Sequence, residues 1–228
     1  MRYVFFILGF LLTIDLSAQT DKRLVELSGT ISDKYPIKMI LTIQNDKILG
    51  YYYYEKYKTK ILLAGQIKGT KITLNESPDY ESDFKIGFVG EFNGTLINGS
   101  WIDKDKNKTL NFKASVGSDK KTTIDNKITK IVGNYENVYN SDKYKSSVNL
   151  QYINESLFCF EVSNGTESGC VGYLKGLIDL KNLKSGIYST STCKELNISF
   201  DSDTLIITEK DCDWHGMNCP FDGRYKKK

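Results

Sequence analysis

The sequence predicts an all-β protein of two antiparallel meander modules, each closing into a barrel or, alternatively, folding as a two-sheet sandwich. Short apolar runs of about five to eight residues with period-two stretches recur through both halves. Turn formers such as Gln44-Asn45-Asp46, Lys68-Gly69-Thr70 and Asn93-Gly94 separate them at hairpin length. Sustained helical periodicity is missing. Barrel closure removes the exposed edges that a meander otherwise leaves, which favours it over the sandwich.

The first element is not structural. Arg2, the apolar run from Tyr3 to Ile14 and the small residues Ser17-Ala18 read as a secretory signal peptide over residues 1–18. No cysteine near Ala18 offers a lipid attachment point. The remainder never approaches the ~18 uninterrupted apolar residues of a spanning helix. The mature chain is therefore expected to be exported, periplasmic or secreted, with no membrane span.

A first module over residues 22–115 is expected to hold strands at Leu24 to Ile31, Ile37 to Ile43, Ile48 to Tyr54, Lys60 to Ile67, Lys71 to Glu76, Ile86 to Phe92, Leu96 to Ile102 and Thr109 to Ala114. Parity assigns its core: Ile37, Met39, Leu41 and Ile43 share one strand face, as do Ile61, Leu63 and Ile67, Ile72 and Leu74, Phe88 and Phe92, and Leu110 and Phe112. The same parity puts Glu76 on the face of Ile72 and Leu74, either as an inward carboxylate at a barrel mouth or as a charge already emerging into solvent. Residues 116–130 are polar and poor in large apolar side chains, and read as a linker. A second module over residues 131–228 offers strands near Ile131 to Glu136, Ser146 to Ile153, Ser156 to Val162, Cys170 to Asp179, Gly186 to Thr190, Glu195 to Phe200, Thr204 to Thr208 and Phe221 to Lys226.

Charge excludes one class of partner. Lys plus Arg number 31 against 28 Asp plus Glu, a formal +3, and the two signs are interspersed, so no electrostatic footprint for nucleic acid is present. The basic end, Arg224 and Lys226 to Lys228, reads as a solvated tail. All five cysteines, Cys159, Cys170, Cys193, Cys212 and Cys219, lie in the second half. In an exported chain they read as disulfides with one thiol left over. Cys159, between Phe158 and Phe160 in an apolar strand, is assigned as the buried free thiol.

Residues 27–112 resemble exported β-barrel-like modules of Gram-negative bacteria. The resemblance rests on Ser28-Gly29-Thr30-Ile31, Tyr35-Pro36-Ile37-Lys38-Met39, Gly50-Tyr51-Tyr52-Tyr53-Tyr54, Ile61-Leu62-Leu63-Ala64-Gly65, Gly90-Glu91-Phe92 and Asn98-Gly99-Ser100-Trp101. It implies fold and export and carries no active site. From Gly133 onward, Cys170-Val171-Gly172-Tyr173-Leu174-Lys175-Gly176, Cys193 before Leu196-Asn197-Ile198-Ser199-Phe200, and Cys212 to Cys219 followed by Phe221-Asp222-Gly223-Arg224-Tyr225 are similar to the β domain that accompanies periplasmic lysozyme-inhibitor-like proteins. That resemblance implies pairing of Cys170 with Cys193 and of Cys212 with Cys219, and engagement of lysozyme. The helical cysteine-containing segment that usually marks the inhibitor family has no counterpart in this chain.

Cys212-x2-His215-x3-Cys219 is the densest chemical cluster. Zinc accepts such ligands, but no second Cys/His pair completes a tetrahedral site, and a disulfide closing the loop is the expected arrangement, with neither metal nor cofactor. A Ser-His-Asp set would have to use the sole histidine inside this small loop. A carboxylate pair drawn from Glu76, Glu81, Asp83 and Glu91 leaves a hydrolase as one alternative. Tyr51, Tyr52, Tyr53 and Tyr54 form a candidate binding surface, since tyrosine rings give large contact area at low entropic cost. Trp214, in the cysteine loop, is expected to be exposed enough to bind, and Trp101 to belong to the core. The function expected is an exported binding protein without catalytic activity that engages or inhibits lysozyme or another envelope hydrolase. A calycin-like carrier of a small apolar or saccharide ligand is the other alternative. An empty barrel favours the carrier, a filled one the interaction module, and two buried carboxylates in one cleft the enzyme.

Overall fold

The computed structural model describes residues 22–76, 84–217 and 219–228. The expected signal at 1–18, and Glu81 and Asp83 among the carboxylates, lie outside them.

Eight strands form the first sheet: β1 (Lys22–Ile31), β2 (Tyr35–Gln44), β3 (Lys47–Tyr54), β4 (Ile61–Lys68), β5 (Lys71–Glu76), β6 (Ile86–Phe92), β7 (Leu96–Asp103) and β8 (Lys108–Thr122). Each pairs antiparallel with the next, and β8 returns to β1, so the barrel is closed. Every residue that parity assigned to this core lies in it or packs against it, joined by Tyr52, Ile97 and Val25. Five inward positions hold no side chain. A Cβ on Gly90 would lie 2.3 Å from the Asn98 carbonyl oxygen, and one on Gly99 2.0 Å from that of Val89. These two glycines face each other across β6 and β7. Strands can coil this tightly only where the side chain is absent. The space is then filled from opposite walls by Tyr52, Phe88 and Phe112, with Tyr52 and Phe112 both packed edge-on or tilted against Phe88.

The segment 116–130 departs from the linker reading. β8 continues to Thr122 along β1, past a register shift opposite Glu26/Leu27, and Val116 packs on the first core. Its remaining outward side chains are polar because they face water, which hides the strand from a hydropathy reading. A short helix, α1 (Asn126–Ile131), follows, capped by Asp125, whose Oδ1 accepts from the Lys127 amide at 2.7 Å. Ile128 of α1 is buried in the second core, with Ile124, Ile131 and Val132 against it. The residues expected to separate the modules belong to their packing.

The second sheet holds β9 (Gly133–Asn137), β10 (Tyr144–Asn154), β11 (Leu157–Thr166), β12 (Val171–Asp179), β13 (Ser185–Thr190), β14 (Cys193–Asp201), β15 (Thr204–Cys212) and β16 (Gly223–Lys227). Its order, β12-β11-β10-β9-β16-β15-β14-β13, wraps into a barrel-like sheet in which β12 and β13 share no ladder. The seam is closed by other means. Near one end the Tyr188 ring covers Gly176 and packs edge-on against Phe160. At the other end the loop after β15 lays itself on the free edge of β12: the Tyr173 amide donates to the Trp214 carbonyl at 3.1 Å, and the Gly216 amide to that of Val171 at 3.2 Å. The basic end forms β16, and its Arg and Lys side chains remain exposed, as expected of a solvated end, while making surface contacts. Lys227 donates to the Thr129 and Lys130 carbonyls at the end of α1, and Lys228 pairs with Glu136.

The disulfides join Cys170 to Cys219 and Cys193 to Cys212, correcting both implied pairings. Register explains it: Cys193 and Cys212 stand directly opposite on β14 and β15. Cys170 precedes β12 at the place where the loop ending in Cys219 crosses it. Cys159 is free and buried, as assigned.

The two barrels meet along their outer walls. Tyr51 and Leu62 of the first pack with Ile153, Leu157 and Cys159 of the second, and the Thr42 hydroxyl donates to the Ile153 carbonyl at 3.2 Å.

Candidate functional site

Alternation along β3 divides the four tyrosines. Tyr52 and Tyr54 point inward and Tyr51 and Tyr53 outward, where the second barrel covers Tyr51 and packs against Tyr53. The expected binding surface is thus core on one face and inter-barrel seam on the other. Tyr51 and Tyr52 are buried by that packing, whereas Tyr53 and Tyr54 are half-buried.

Glu76 ends β5 half-buried inside the first barrel. Its Oε1 accepts from the Tyr52 hydroxyl at 2.6 Å and the Trp101 indole at 2.5 Å. Burial pushes its carboxyl above the ordinary range, the two donors oppose this, and Asp103 adds repulsion. Asp103 itself is committed to a turn: its Oδ1 accepts from the Lys106 amide at 3.0 Å, and its Oδ2 pairs with the Lys106 ammonium at 3.2 Å. Burial raises the Asp103 carboxyl, but the Lys106 bonds outweigh this and hold it low. Two neighbouring carboxylates with opposed shifts resemble an acid-base pair. One of them is occupied by its own hairpin and the other by two core rings.

The other constellation lies where the loop after β15 covers the edge of β12. Trp214 is 45 % exposed and Val171 71 % exposed, on neighbouring backbone segments beside the Cys170–Cys219 bridge, with Met217 fully outward. The Trp214 indole donates to the Thr192 hydroxyl at 3.0 Å, which orients the ring. Exposed Asp211 and Asp213 flank the loop. A cleft of about 690 Å³ runs beside Trp214 over Tyr173, Asn164, Ser163 and Ser147 to Glu136. Asn164 is buried and ties the far side of the loop, donating to the Cys219 and Pro220 carbonyls at 2.5 and 2.9 Å, while its Oδ1 has no partner.

Beneath the loop, His215 is clasped at both ring nitrogens. Nδ1 lies 2.8 Å from the Gly216 carbonyl oxygen and Nε2 2.8 Å from Glu209 Oε1, which also accepts from the Phe221 amide. Because the carbonyl accepts only, Nδ1 carries hydrogen, and the Nε2 contact needs a second proton on His215 or on Glu209. Burial raises the Glu209 carboxyl; the Phe221 amide and His215 oppose it, and Asp222 adds repulsion. This dyad did not figure among the expected site residues, although Glu209 continues the inward parity of Leu205 and Ile207. Among the described residues no group of three or more His, Cys, Asp or Glu is placed to hold a metal. Both loop cysteines are in disulfides and His215 is taken by Glu209.

Comparison of the chain with family models, with curated proteins and with solved structures returns no match.

Proposed function

We propose that this is an exported binding protein without catalytic activity, whose contact surface is the Trp214 loop and the end of β12 on which it lies, and whose partner is lysozyme or another envelope hydrolase. The observation that carries the reading is the pinned, half-exposed Trp214 set beside exposed Val171 and Met217. A rigid aromatic anchor in an apolar patch with a polar rim is the composition of an interface centre. Exposed Asp213 suits a cationic partner surface, while Asp211 is paired with Lys194 at 3.7 Å. The first barrel is filled by Tyr52, Phe88, Phe112 and the aliphatic core, which supports an interaction module over a carrier. Two disulfides fit an oxidising compartment, and among the described residues no helix is long and apolar enough to cross a membrane. Lysozyme as target rests on the resemblance of the second module.

The test is a titration of residues 19–228, disulfides intact, against lysozyme acting on cell-wall substrate. Saturable inhibition is expected, weakened about tenfold or more by Trp214→Ala. Full lysozyme activity at roughly 50 µM protein, far above the affinity of a specific complex, contradicts the named target. Inhibition untouched by Trp214→Ala contradicts the surface.

A further inference from the structure

We propose that the cleft between the two barrels is a second binding site, for an oligosaccharide bearing a single carboxylate that the Lys22 ammonium receives. The cleft is open to solvent, has a volume of about 940 Å³ and shares no lining residue with the Trp214 surface.

Lys22 opens β1 and lines this cleft, yet is only 8 % exposed. Its ammonium donates to the Tyr152 carbonyl at 2.6 Å and sits 4.8 Å from the centre of that residue's ring. Three N–H donors meet one carbonyl and one ring face, and among the described residues no carboxylate pairs with it. Burial alone lowers its pKa to about 8. A buried cation without a counter-ion is costly, and an incoming carboxylate supplies one.

The remaining charges limit how acidic the ligand is. Lys175 is spent on Glu161 at 3.2 Å. Exposed Asp46 and Lys47, adjacent in sequence, bring one charge of each sign to the rim of the cleft. A polyanion would meet one buried cation and, at the rim, Asp46 as well as Lys47, so a single carboxylate is the match. The neutral lining indicates a sugar. Gln66 and Asn75 from the first barrel and Asn149 and Gln151 from the second present carboxamides, which donate and accept as hydroxyls do. Asn149 and Gln151 are already ordered, through the chain Gln151 to Asn149 to Asn134 with both bonds at 2.6 Å. Asn75 Oδ1 is buried without a partner. Phe84 supplies an apolar wall for the C–H face of a pyranose. Clefts between folded units are common ligand sites.

The experiment is an amide-shift titration of residues 19–228 with the disaccharide of N-acetylglucosamine and N-acetylmuramic acid, which has one carboxylate. Di-N-acetylchitobiose, which has none, and acetate are the controls. The disaccharide should saturate with shifts confined to residues around Lys22, Gln66, Asn75 and Asn149. Chitobiose and acetate should each bind at least about tenfold more weakly, and Lys22→Met should cost the disaccharide a similar factor. Should Lys22→Met fail to fold, exposed Gln66→Glu should weaken the disaccharide more than it weakens chitobiose, because only the disaccharide carries a charge for the new carboxylate to repel. Equal binding of disaccharide and chitobiose, equal binding of acetate, shifts elsewhere, or none up to about 20 mM each overturn the proposal.

Discussion

The two barrels solve one problem in different ways. The first closes its ladder completely, with inward glycines letting eight strands coil tightly around three aromatic rings, and uses no disulfide. The second forms no ladder between β12 and β13 and closes the seam with Tyr188 and a loop held by the Cys170–Cys219 bridge, while Cys193–Cys212 ties the paired strands β14 and β15. A ladder satisfies backbone groups all along a strand, whereas a loop held by a bridge does so locally and leaves exposed side chains at the join. Trp214 and Val171 are exposed there. The closed barrel therefore reads as scaffold and the seam of the open one as the place where contact area is available.

Reduction should break the comparison most strongly. Cys170–Cys219 closes a separation of 49 residues and Cys193–Cys212 one of 19. In the chain-entropy model their loss costs roughly 4 and roughly 3 kcal/mol. Replacing Cys170 and Cys219 by Ala should lower denaturant stability of the second sheet by about the first figure and free the Trp214 loop, read as loss of amide protection at Tyr173 and Gly216. The first barrel's protection should survive. Equal loss in both barrels would show that they unfold as one unit.

Gly99→Ala should act on the other side, by about 2–3 kcal/mol, because its Cβ meets backbone of the facing strand rather than a side chain that can move away. Urea unfolding followed at Trp101 reports it. A near-neutral result would mean that the barrel is looser than its register implies.

Lys22→Met is the next smaller effect, read through pH. The folded pKa of about 8 lies below the ordinary 10.5, so between these values the unfolded chain holds a proton that the folded one has lost. Wild-type stability should then rise with pH across that window relative to the Met variant. A flat difference would place the ammonium in water.

Glu76→Gln is the smallest. The folded Glu76 keeps its proton to higher pH than the unfolded chain does, so wild-type stability should fall as pH rises from the ordinary carboxylate range through the raised value. Gln retains an acceptor for Tyr52 and Trp101 and removes the titration. It should flatten that slope and gain about 1 kcal/mol at neutral pH. A loss at neutral pH would mean that the ionised carboxylate is the better partner for the two donors.

Alternation made most strands legible, because a residue such as Met39 or Leu74 has only one face to bury. It failed where the deciding neighbour is distant in sequence. The disulfide partners follow from the β14–β15 register and from a loop crossing β12, neither of which spacing reveals. The outer end of β8 carries lysines because it faces water, and α1 is too short for a helical period. Burial of Tyr51 depends on Ile153 and Leu157 of the other barrel, about a hundred residues away. Lys22 was hidden for the same reason: its partner is the Tyr152 carbonyl. Glu209 was within reach, one period beyond Ile207, had the strand been carried past Thr208.

The most direct measurement is hydrogen exchange across residues 19–228 with and without saturating lysozyme. Protection gained at residues 171–173 and 213–217, with the outer wall of the first barrel unchanged, is the predicted result. Protection on the first barrel alone, or no difference anywhere, would contradict the assignment of the open seam as the contact surface.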